Sequence, residues 1–113
     1  MDNQEAPPYL LACELWELTL YVKRPKRGSR VLLSELDRIG WRLMHSLGDA
    51  PHAESTLIER RQYQSAERLV KKAEPVVDKL RALLAVDQMC RIDELMAAIK
   101  RVVARELARL AAN

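Results

Sequence analysis

The stretch SRVLLSELDRIGWRLMHSLG, residues 29–48, decides how this chain folds. Leu32, Leu36, Ile39, Leu43 and Leu47 recur in steps of three and four. That spacing stacks side chains on one face of an α-helix, whereas a strand needs alternation by two. Ser29 reads as the N-cap and Gly48 as the C-terminal stop, so a helix is expected over about 30–47.

Outward from this segment the same periodicity repeats three times. Upstream, Pro7-Pro8 suits an opening turn, and Leu11, Leu15, Leu18 and Val22 mark a helix over about 8–23 that ends at Arg24-Pro25. Residues Lys26 to Gly28 form the connecting turn. Downstream, Asp49 to Ser55 lacks periodicity and contains Pro51, which reads as a reversing loop. Ile58, Ala66, Leu69, Ala73, Val77, Leu80 and Leu84 then define a long helix over about 55–88, with a kink expected at Glu74-Pro75. Its charges, among them Arg68, Lys71 and Lys72, fall mostly on the outer side. Asp87 and Asp93 can each cap a last helix, and Asp93 is the reading adopted, giving about 93–111 with Leu95, Ile99, Val102, Val103 and Leu110 inward.

A chain of 113 residues with 49% apolar and 31% charged residues has enough apolar surface for one core and reads as a single domain, 1–113. Phe is absent and there are only three Gly, while Leu and Ala abound, which favours helix over strand. The expected fold is all-α, an antiparallel up-down-up-down four-helix bundle. No apolar run approaches the roughly 20 residues that span a bilayer. The acidic, Pro-rich start from Met1 to Pro8 is unlike a secretory signal, so a cytoplasmic location without membrane association is expected. Cys13 and Cys90 lack CxxC spacing and read as reduced, mostly buried thiols.

Catalytic signatures are missing from the sequence. His45 and His52 stand in no metal-ligand spacing, and Asp49 beside them makes only a helix-end arrangement. Glu14 with Glu17, and Glu54 with Glu59, lack the Glu-x-x-His partners of di-metal bundles and read as solvated or dipole-stabilising carboxylates. There is no phosphate-cradling Gly-rich loop and no nucleophile elbow. The expectation is a protein that is not an enzyme and takes no metal or cofactor.

Charge is the informative property. The net charge is only +3, but residues 1–22 hold four acids and no base, while residues 23–48 hold seven bases against Glu35 and Asp37. Those bases are Lys23, Arg24, Lys26, Arg27, Arg30, Arg38 and Arg42. The first five crowd the turn before a helix N-terminus, and Arg38 and Arg42 continue at i, i+4. Clustered cations displace counterions from a polyanion, and free N–H groups at a helix start face an anion, so these seven residues form the expected nucleic-acid-binding site. Trp16 and Trp41 flank the apolar stripes and read as packing residues at a core edge or subunit interface, with base stacking as the other role open to them.

With four helices, a proline-basic turn after the first, and the run Ala73-x-x-x-Val77-x-x-Leu80-Arg81-x-Leu83-Leu84, the chain resembles the accessory variability determinant proteins of diversity-generating retroelements. These are related to the four-helix bundle proteins encoded in ribosomal-RNA intervening sequences. The resemblance covers about Leu11 to Arg105. Pro25, Lys26 and Leu32 match the family's aromatic-Pro-basic turn and following Leu, whereas Arg24 replaces the aromatic and Arg30 lies one place beyond the usual Arg. The Gly and Trp pattern near the family's C-terminus is missing from Lys100 to Asn113. The resemblance implies a homo-oligomer, a pentamer, that binds RNA or DNA and associates with a reverse transcriptase during mutagenic retrohoming. The alternative reading is a protein-protein interaction bundle without direct nucleic-acid binding, its basic turn serving only to steer an acidic partner.

Overall fold

Each apolar stripe becomes a helix with that stripe turned inward. The computed structural model describes residues 7–22 and 27–112. Among them lie α1 (Pro8–Leu20), α2 (Ser29–Asp49), α3 (Thr56–Leu80) and α4 (Val86–Ala111), with a single 3₁₀ turn, Ala50–His52, following α2. No helix among these residues is long and apolar enough to cross a membrane.

The chain is an all-α four-helix bundle. Each helix packs on the next, and α1 closes the ring against α4. Successive helices run antiparallel, as the cross-ties show: Gly40 meets Trp16 while Gly48 meets Tyr9, and Glu74 pairs with Lys100 while Glu59 pairs with Arg109. Leu15, Leu36, Leu43, Leu80 and Ile99 are wholly buried in one cluster drawn from all four helices. Fully burying such a side chain stabilises by about 1.5–3 kcal/mol, well above the helical propensity of any single residue. Leu33 rather than Leu32 is the buried member of its pair, and Ile58 lies exposed at the start of α3.

Several boundaries differ from the sequence reading for identifiable reasons. Helix α1 stops at Leu20, three residues short of the expected 23; in its last turn the Thr19 hydroxyl donates to the Trp16 carbonyl at 2.6 Å, a local bond that competes with helix continuation. Gly28, not Ser29, occupies the N-cap of α2, with φ +92°, a left-handed conformation strained for any residue with a Cβ. Ser29 is the first helical residue and is fully buried. Gly48 does not end α2, which continues to Asp49; a Cβ there would lie 3.0 Å from the Tyr9 ring, so this glycine serves close packing.

The largest difference is at the α3–α4 junction. Helix α3 runs unbroken through the exposed Pro75 but stops at Leu80, not near 88. The N–H groups of Leu83 and Leu84 both donate to the Leu80 carbonyl, at 2.8 and 3.1 Å, which tightens the chain into a turn while Leu84 still reaches the core. Helix α4 therefore begins at Val86, close to Asp87 rather than at Asp93. Asp87 sits in the first turn, where its charge suits the helix dipole, and the Gln88 Oε1 accepts a long bond from the Ala85 N–H, 3.4 Å. Asp93 is no cap: both its oxygens are held by Arg81, at 2.7 and 3.1 Å.

Candidate nucleic-acid interface

Ion pairs are concentrated along α4. Arg91 grips Glu14 of α1 with Nε and Nη2, the latter at 2.6 Å from Oε1, and thus joins the first helix to the last. Arg81 holds Asp93, Lys100 reaches Glu74 at 3.0 Å, and Arg109 Nη2 lies 2.7 Å from Glu59. Arg60 Nη2 donates to the Leu110 carbonyl at 3.0 Å, satisfying an acceptor in the final turn of α4. The Arg91 bond holds the Glu14 carboxyl below its ordinary pKa, and the Arg81 bond does the same for Asp93. Burial raises the pKa of the Tyr63 phenol, helped by the charges of Glu106 and Glu59. Two of the four carboxylates singled out in the sequence, Glu14 and Glu59, tie helices together rather than serving only as solvated or dipole-stabilising groups.

The cations of α2 are arranged otherwise. Of the seven expected site residues, Lys23, Arg24 and Lys26 lie outside the described residues. Arg27, in the turn before α2, and Arg30, Arg38 and Arg42 on the helix are all exposed. Arg30, Ser34, Arg38 and Arg42 follow one another at four-residue steps, so they share a single ridge of α2. From Arg30 to Arg42 that ridge is about 18 Å long at 1.5 Å per residue. Between α2 and α3 it borders an open groove of about 440 Å³ lined by Glu35, Arg38, Ile39, Arg42, Leu69 and Lys72. Lys72 is the cation that sequence reading left among the solvated charges of α3. No local signal marks it, because its role depends on which side of α3 meets α2.

Among the described residues, Arg27, Arg30, Arg38, Arg42 and Lys72 make no ion pair or hydrogen bond. Like charges at i, i+4 destabilise a helix by about 0.2–0.5 kcal/mol, and Lys72 adds a third positive group to Arg38 and Arg42. Among the described residues, Glu35 is the only acid lining the groove. Folding gains nothing from this grouping, whereas a bound polyanion relieves the repulsion and releases its own counterions. At the N-terminus of α2, the N-cap residue Gly28 supplies no side-chain hydrogen bond to the helix.

Aromatic side chains border the ridge. Trp41 is 48% exposed, and its ring centroid lies 4.7 Å from that of His45 in an edge-on arrangement and 5.4 Å from the half-buried Trp16. Helices α1 and α2 meet closely behind these rings, since a Cβ on Gly40 would lie 3.3 Å from the Trp16 Cα. Cys13 is half-buried and Cys90 is exposed, so the expectation of two mostly buried thiols does not hold for Cys90. Among the described residues no group of three or more His, Cys, Asp or Glu side chains converges as a metal site requires.

No protein-family model, no curated protein and no solved structure matches this chain.

Proposed function

We propose that this chain is a non-enzymatic nucleic-acid-binding accessory protein. One observation carries the reading: exposed Arg30, Arg38 and Arg42 lie along one ridge, with Lys72 beside it, and none is neutralised by a partner within the described residues. An 18 Å ridge spans about five phosphates along one strand of a duplex, at 3.4 Å of helix axis each, and fewer along a more extended single strand. In line with its resemblance to the accessory variability determinant proteins, the chain acts in the cytoplasm as a homo-oligomer, a pentamer, beside a reverse transcriptase. A ring would repeat the ridge in every subunit, and linked sites raise overall affinity well beyond that of one.

The test is a salt titration of binding to RNA and DNA oligonucleotides. Affinity should fall log-linearly with salt, and Arg38→Ala, Arg42→Ala and Lys72→Ala together should weaken binding to every sequence and flatten the salt slope by about 0.7 per lost contact on a single strand. Salt-independent binding, or a slope untouched by the triple substitution, would overturn the proposal. Light scattering on the same samples tests the pentamer. The presence of a reverse transcriptase gene beside this one, followed by co-purification of the two products, tests the partner.

A further inference from the structure

Four exposed side chains on α2, Arg38, Trp41, Arg42 and His45, form one contiguous patch, because each is three or four residues from two of the others. Two cations thus lie along one side of an aromatic ring whose surface is nearly half open, with a second aromatic ring set edge-on to it and Trp16 supporting it from α1. Packing accounts for Trp16, which is half-buried against the core. It does not account for the open part of Trp41, an indole left in water beside a ridge that carries two guanidinium groups unpaired among the described residues.

We infer that this patch is a stacking site for an unpaired nucleobase: a single strand lies along the Arg30–Arg42 ridge, its phosphates on Arg38 and Arg42 and one base against Trp41. The inference rests on the nucleic-acid reading above and narrows it to single strands. An aromatic ring accepts any base by its flat face, so the site is tolerant of sequence. In a duplex the base faces are already stacked inside the helix and reach no side chain without being splayed out. Arginine beside the ring also favours the complex, since a guanidinium pairs with phosphate in a fixed fork and stacks on aromatic faces. The positive ridge selects this occupant over an apolar helix of another protein, which would leave Arg38 and Arg42 against an uncharged surface.

The deciding experiment compares three probes of equal length, about 16 nucleotides: a labelled oligothymidylate, the same backbone with abasic sites throughout, and the duplex of the oligothymidylate with its complement. The wild-type protein should bind the oligothymidylate about 5- to 150-fold more tightly than the abasic strand, the range that stacking of one base supplies. Trp41→Leu should erase that difference, Trp41→Phe should keep most of it, and helicity should stay unchanged in both. In a Trp16→Phe background, indole fluorescence should be quenched by the oligothymidylate and not by the abasic strand.

If Trp41→Leu leaves the oligothymidylate-to-abasic ratio unchanged while the Arg38, Arg42 and Lys72 substitutions still weaken all three probes, stacking is overturned and nucleic-acid binding stands. If the wild-type protein binds none of the probes at low salt, both fall together. If Trp41→Leu instead converts an oligomer to a monomer, the patch joins copies of the chain and the stacking site is rejected.

Discussion

Gly40 shows how one missing side chain sets the geometry around it. The atoms a Cβ would meet belong to the backbone and Cβ of Trp16, which move only if all of α1 moves. Replacing glycine by alanine inside a helix gains up to about 1 kcal/mol of propensity, but overpacking at such a contact costs about 1–3 kcal/mol. Gly40→Ala should therefore lower the thermal midpoint, measured by circular dichroism. Gly48→Ala meets only the exposed ring of Tyr9, which can swing aside, so it should prove clearly less damaging in the same assay. Pro75 offers the opposite case: it is exposed, lies within α3 and supplies no amide hydrogen bond, so Pro75→Ala should stabilise the fold by about 1–3 kcal/mol in a urea melt.

At the scale of helices, α4 is held to its neighbours by charge as well as by apolar contact. Glu14 and Asp93 have folded-state pKa values below their ordinary 4.5 and 3.8, each because an arginine bonds its carboxylate. A depressed carboxylate contributes stability that is present above the unfolded pKa and disappears as pH falls through the folded one. Acid melts should thus show loss beginning below about pH 4.5, and Glu14→Gln combined with Asp93→Asn should be less stable at neutral pH with a flatter decline below it. The same ties explain which helix limits were legible in the sequence. Periodicity placed all four helices, because a 3.6-residue stripe is a local property. It misplaced the α3–α4 boundary because Leu80 and Leu84 keep helical spacing while the chain turns between them. Asp93, which has the chemistry of a cap, is instead claimed by Arg81, a residue twelve positions away that is brought near only by folding.

Across the whole molecule, the charges that tie helices together and those of the candidate surface occupy different places. Paired cations join α4 to α1 and α3, whereas Arg38, Arg42 and Lys72, on α2 and its border with α3, make no such tie among the described residues. Removing Arg38, Arg42 and Lys72 together should therefore leave the thermal midpoint unchanged or raise it, as like-charge repulsion is relieved, while differential scanning calorimetry and binding are read on the same sample. The candidate surface was half legible beforehand. Arg30, Arg38 and Arg42 announce themselves by spacing along one helix, whereas Lys72 and the exposure of Trp41 depend on how helices are juxtaposed.

The close approach at Gly40 has a bearing on how such a protein can diverge. The position that lets α1 lie against α2 also sets how near Trp16 comes to Trp41. Any larger residue there pries apart the support beneath the exposed indole, so one codon governs two inherited traits at once. Lineages that retain the aromatic patch should retain the glycine, and those that lose one are released from selection on the other.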